Sequence, residues 1–103
     1  MGQETSQITR FLKRLRGFRI EQAILFGSRA RGDWLKESDW DLLLVSSDFE
    51  GISFSGRIRK VLDQWSGSEN LEVLCYTPLE FRRKKRQIGI VATAVREGIR
   101  LAA

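Results

Sequence analysis

Residues 25–45 read LFGSRARGDWLKESDWDLLLV, and the fold turns on this stretch. The stretch over residues 20–26 reads as a strand and stops abruptly at Gly27-Ser28, as a strand does where it meets a turn. Ten residues after Ser28, Asp39-Trp40-Asp41 opens a second apolar run. Its last four residues, 42–45, are continuously apolar rather than alternating, which predicts a strand over 39–45 covered on both faces. Alternate side chains of a strand share a face, so Asp39 and Asp41 point one way. Trp40 points the other way, where it can pack under a helix.

The chemistry of this stretch follows from those positions. Two carboxylates one strand-step apart repel each other unless cations bridge them. Oxygen ligands of this kind suit magnesium or manganese, which keep coordination positions for phosphate and water. Gly27 lets a backbone approach a phosphate closely, and amide groups at the start of a helical turn stabilise its charge. The Ser28 hydroxyl adds a donor. Arg29 and Arg31 offset triphosphate charge, and the sequence does not fix which of them points inward. Taken alone, Gly-Ser after a strand is an ordinary turn, and Asp-x-Asp is common on loops. The four residues at this spacing arise by chance in roughly one chain in a thousand of this length, so the combination carries weight.

Working outward, Ile8, Phe11, Leu12 and Leu15 keep helical spacing, which predicts an amphipathic helix over 6–18 with Gly17 as its stop. Residues 46–55 read as loop. Ile58, Val61, Leu62 and Trp65 share one face of a helix over 57–65, and 71–76 read as a third strand. Thr77, Pro78 and Glu80 together predict a capped helix start: N-cap, proline at N1 and a capping box. That helix carries the basic run Arg82, Arg83, Lys84, Lys85, Arg86, read either as a solvated face or as a patch for RNA or an acidic partner. A last helix over 90–97, ended by Gly98, and a short edge strand over 99–101 complete the chain. The fold class expected is α+β: one domain over 1–103, a small mixed sheet with helices packed on it. Trp34 and Trp65 read as packing residues, with a base or partner contact as the alternative for Trp34.

Composition narrows the chemistry. The chain has 103 residues, which leaves little room for a second substrate domain. It has 18 Lys and Arg against 13 Asp and Glu, and a basic surface favours polyanions. There is no histidine, which excludes histidine triads, histidine bases and histidine-held zinc. Cys75 is the single cysteine, and its apolar surroundings mark it as a small buried hydrophobe. No signal peptide or membrane span is evident, so a cytoplasmic protein is expected.

The segment from Gly27 to Asp41 resembles the Gly-Ser, ten-residue spacer, Asp-x-Asp signature of the minimal nucleotidyltransferases, a branch of the DNA polymerase β superfamily. The likeness continues through Leu71-Glu72-Val73-Leu74, Tyr76-Thr77-Pro78 and the ending Val95-Arg96-Glu97-Gly98-Ile99-Arg100-Leu101. It implies a polymerase-β-type core in which Gly27 and Ser28 hold the β- and γ-phosphates of ATP or another nucleoside triphosphate. It implies two magnesium ions on Asp39 and Asp41. Glu72 falls where the family places a third acidic residue, usually Asp, that completes the metal site and helps deprotonate the attacking hydroxyl. Glu is one methylene longer, and a solvent-facing residue on an edge strand is the alternative reading.

Relatives of this size are often encoded beside a helical HEPN protein in toxin–antitoxin pairs. The resemblance therefore implies transfer of AMP from ATP to a tyrosine of a HEPN-type toxin. The alternatives are transfer to a small-molecule hydroxyl and a non-catalytic antitoxin that acts by contact alone. Homo-oligomerisation is left open, nucleic-acid binding rests on the basic charge alone, and membrane association is not expected.

Overall fold

A computed structural model describes residues 6–30 and 39–101. The elements run α1 (Ser6–Arg14), β1 (Gln22–Phe26), β2 (Trp40–Val45), a 3-10 turn (Ser47–Phe49), α2 (Phe54–Leu62), β3 (Leu71–Tyr76), α3 (Pro78–Lys84), α4 (Ile90–Glu97) and β4 (Ile99–Leu101). The strands form one mixed sheet in the order β3-β2-β1-β4. β1 is antiparallel to both β2 and β4, and β2 is parallel to β3. This is the α+β architecture expected from the sequence.

The continuous apolar run of β2 is explained by its two covered faces. On one face Trp40, Leu42 and Leu44 pack with Ala23, Leu25, Val73 and Cys75 beneath Ile8, Phe11 and Leu12 of α1 and Val61 of α2. On the other, Leu43 and Val45 pack with Ile24 and Tyr76 beneath Phe81 of α3 and Val91 and Ala94 of α4. Sheet period and helix period thus meet in two layers around one central strand.

Strand β3, helix α4 and strand β4 fall where the sequence places them. So does the start of α3, where Thr77 Oγ1 accepts from the Glu80 N–H at 3.3 Å and the Glu80 carboxylate accepts from the Thr77 N–H at 2.9 Å. Other boundaries differ for physical reasons. α1 ends at Arg14 rather than 18, because the Gln64 side chain takes over the backbone of Arg16, accepting from its N–H and donating to its C=O, both at 2.8 Å. The segment expected as loop holds the 3-10 turn, capped by Ser46, and the first turn of α2, capped by Ser53 Oγ on the Gly56 N–H at 3.1 Å. α2 stops at Leu62, and Trp65 instead donates its indole N–H to Glu69 O at 2.8 Å. α3 ends at Lys84, so Lys85 and Arg86 lie past the helix they were expected to sit on. The short helical turn expected after β1 is described only as a turn over 28–30.

Candidate active site

The site forms where β1 ends and the parallel pair β2–β3 begins. Asp41 is in register with Phe26 on one side and with Glu72 on the other. Residues opposite each other in a sheet share a face, and neighbouring strands lie about 4.8 Å apart. Asp41 and Glu72 are therefore side-by-side carboxylates on the face that also carries Leu43 and Leu74. Glu72 is exposed and Asp41 is half-buried. The sheet does not put Glu72 on the far side, so the solvent-facing strand residue of the alternative reading still sits beside Asp41.

Gly27 completes this arrangement in a way the sequence did not announce. Its φ of 78° lies in the left-handed region, and the turn behind it is closed by a bond from the Ala30 N–H to Gly27 O at 3.1 Å. A Cβ on Gly27 would overlap Asp41 Oδ2 and lie 3.0 Å from Asp41 Cγ. The missing side chain is thus the seat of the Asp41 carboxylate. Ser28 follows in the same turn, half-buried.

The remaining predicted residues are placed less simply. Asp39 stands just before β2, whose ladder begins with the Trp40 N–H donating to Asn70 O at 2.9 Å. It borders a cleft of about 300 Å³ with Ser68, Glu69 and Asn70, on the turn leading into β3. Among the described residues no three acidic or thiol side chains close around one point where an ion would sit. The structure therefore brings Asp41 and Glu72 together and leaves Asp39 one step outside them.

The Arg29 guanidinium lies over the Trp40 ring, 4.0 Å from its centroid, and Trp40 belongs to the opposite face of the sheet from Asp41. Arg29 also faces Glu69. The Glu69 carboxyl is held below the usual range first by a backbone N–H, then by Ser68 Oγ at 3.1 Å, with the Arg29 charge adding to them. Arg31 and Trp34 lie outside the described residues. What sequence reasoning missed is the Arg29–Trp40–Glu69 cluster and the Gly27 seat, because each depends on which residues the strand register places together.

As to metal, the donors on the shared face are the carboxylate oxygens of Asp41 and Glu72, and one Asp41 oxygen sits in the space that a Cβ on Gly27 would fill. That set suits a small, hard divalent cation such as magnesium and offers nothing to softer ions.

The profile of a family described as "Nucleotidyltransferase domain" matches residues 5–95, and the chain belongs to that family. Two proteins of Methanocaldococcus jannaschii whose names propose protein adenylyltransferase activity are similar to it. MJ0604 is 54% identical over 35 residues, which is 33% of this chain and 35% of the relative. MJ0141 is 35% identical over 48 residues, 47% of this chain and 48% of the relative. The matches thus span less than half the length of each. The crystal structure of a proposed nucleotidyltransferase from Sulfolobus solfataricus superimposes with a TM-score of 0.58 and 28% identity, covering 81% of this chain and 82% of that one. No helix among the described residues is long and apolar enough to cross a membrane.

Proposed function

We propose that this chain transfers AMP from ATP to a protein hydroxyl, in a magnesium-dependent reaction, and that the acceptor is a tyrosine of a HEPN-type partner. The observation that supports this most is the Asp41–Glu72 pair in register beside the Gly27 turn. The names of the two archaeal relatives favour adenylyl transfer to protein among the reactions open to the family.

In this reading the Gly27-Ser28 turn holds the β- and γ-phosphates through backbone N–H groups and the Ser28 hydroxyl. Asp41 and Glu72, joined by Asp39, would hold the metal. When bound, the metal supplies neutralisation of phosphate charge at the attacking and leaving oxygens. Glu72, exposed at the rim, accepts the proton of the acceptor hydroxyl. The acceptor oxygen bonds to the α-phosphorus, the bond from that phosphorus to the bridging oxygen breaks, and pyrophosphate leaves. Positioning and charge compensation do most of the work in such transfers, so the lack of histidine is no obstacle.

The test is to incubate the chain with ATP, magnesium and the HEPN-type protein encoded beside it, then to weigh that protein intact. One adenylyl group is the expected gain, and Asp41→Asn should reduce the rate on the order of 100-fold or more. No gain from a chain that still binds ATP overturns the reading. Neutralisation of the partner by Asp41→Asn at full strength points instead to action by contact alone.

A further inference from the structure

The basic run over 82–86 has no part in the chemistry above. From Phe81 to Arg96 the chain carries Arg82, Arg83, Lys84, Lys85, Arg86 and Arg96 and neither Asp nor Glu. The carboxylate just before this stretch, that of Glu80, is already engaged by Arg57. Residues 82–90 are all exposed, and among the described residues no ion pair reaches the run. Like charges along one helical segment repel, so this segregation costs the isolated chain a little stability.

The five cations of the run are not equivalent. Lys85 Nζ folds back over the Phe81 ring, 5.4 Å from its centroid. Lys84 borders a different cavity, with Phe54, Tyr76 and Glu80. Arg82, Arg83 and Arg86 gather instead with Leu79 and Gln87 around one groove of about 460 Å³. Helical winding continues past α3 to bring Arg86 there, with the Lys85 N–H on Phe81 O at 3.0 Å and the Arg86 N–H on Arg83 O at 3.3 Å. The apolar side chains beside these arginines face water. Leu79 on the groove is 48% exposed, and Ile88 and Ile90, just beyond Arg86 in the chain, are 106% and 57% exposed.

We propose that this groove docks an acidic segment of a protein partner, one carrying aliphatic side chains among its carboxylates. Charge complementarity is the first argument. Three guanidinium forks match carboxylates two bonds at a time, and the chain supplies no carboxylate of its own here. The second argument is the kind of apolar surface. Proteins hold single-stranded nucleic acid with cations interleaved among aromatic rings on which bases stack. The ring within this stretch, Phe81, is buried, and the large apolar groups left to solvent are aliphatic. Such groups gain by burial against leucine-like side chains and offer a base no ring. A groove lined by three arginines also fits projecting side chains better than the flat face of a bilayer. α3 and α4 cover the sheet face that carries Asp41 and Glu72, so the docked partner stands on the carboxylate side. This goes beyond the proposed function, for it holds whether or not that partner receives a nucleotide.

The test uses the whole chain without nucleotide, so it succeeds or fails separately from the transfer assay. The probe is a short fluorescent peptide of Glu, Leu and Ala, followed by anisotropy. Saturable binding is expected, and replacing Arg82, Arg83 and Arg86 together by Gln should weaken it about tenfold or more. Lys84→Gln with Lys85→Gln should change it less than about threefold. A peptide with Ser in place of each Leu should bind about tenfold more weakly. In the isotope-labelled native chain, the methyl signals of Leu79, Ile88 and Ile90 should shift on adding the probe, a readout that needs no variant. No saturable binding overturns the proposal, as do equal binding of the serine peptide, equal losses in the two variants or shifts confined to other methyls. Tighter binding of oligouridylate or of phosphatidylserine vesicles than of the peptide also overturns it, assigning the groove to RNA or to a lipid surface.

Discussion

Gly27 carries two demands at one atom: a φ of 78° and no room for a Cβ against Asp41 Oδ2. Gly27→Ala should lose about 1–2 kcal/mol of stability from the left-handed backbone. Because the added methyl also displaces a carboxylate of the site, transfer should fall on the order of 100-fold. Thermal melts and a single-turnover assay on one preparation separate the two effects. Cys75 makes a different prediction at this scale. It is fully buried, and burial pushes its thiol pKa up to about 12. The native chain should therefore resist thiol reagents at neutral pH and react only once unfolded, which a labelling time course with and without denaturant measures. Gly27, Ser28, Asp39, Asp41 and Glu72 were named from their spacing and resemblance; the strand register sets Asp41 beside Glu72, whereas Asp39 does not join them around one point. The Arg29 stack on Trp40 was not legible, because a cation near a phosphate-like turn reads the same whether it faces the ligand or folds back on an aromatic ring.

Among the elements, α3 shows how much a local pattern can carry. Thr77, Pro78 and Glu80 fixed its start without reference to the rest of the chain, because a capping box is satisfied within four residues. The start of α2 is also a local cap, at Ser53, yet Gly56 in its first turn looks like a breaker and hides it. Arg57 entered the sequence reading only as the first residue of the helix over 57–65. Its burial, with a side chain 8% exposed, depends on Glu80 and Cys75, about twenty residues away in sequence. The link between α2 and α3 has a pH signature. Arg57 hydrogen bonds hold the Glu80 carboxyl below the ordinary range, with Thr77 reinforcing them. This contribution is fully present above the ordinary glutamate value of about 4.3 and is lost as pH falls through the lowered folded value. Glu80→Gln should flatten that part of the acid limb and lower stability at pH 7 by about 1 kcal/mol, since solvent reaches the 41% exposed Glu80 side chain and screens the pair. Urea midpoints of both chains between pH 3 and pH 7 check this.

For the whole molecule, the organising fact is that one central strand serves two cores and one site. β2 is buried along its apolar length and carries one carboxylate, the half-buried Asp41, at its second residue. Leu43→Ala should destabilise the chain by about 2–5 kcal/mol, read from denaturant unfolding, while leaving the Asp41–Glu72 register intact. The basic run of Arg82, Arg83, Lys84, Lys85 and Arg86 is exposed throughout, and among the described residues none of its members forms an ion pair. Arg57, by contrast, donates to the Cys75 carbonyl on the side of β3 away from β2. Cutting that bond, as Arg57→Leu would, leaves a carbonyl without its partner on the margin of the last strand of the sheet. Such a margin is a template for sheet-to-sheet stacking. The same guanidinium that steadies two helices is in this light a guard against fibre-like self-association, and light scattering of the variant at rising concentration would reveal the guard's removal.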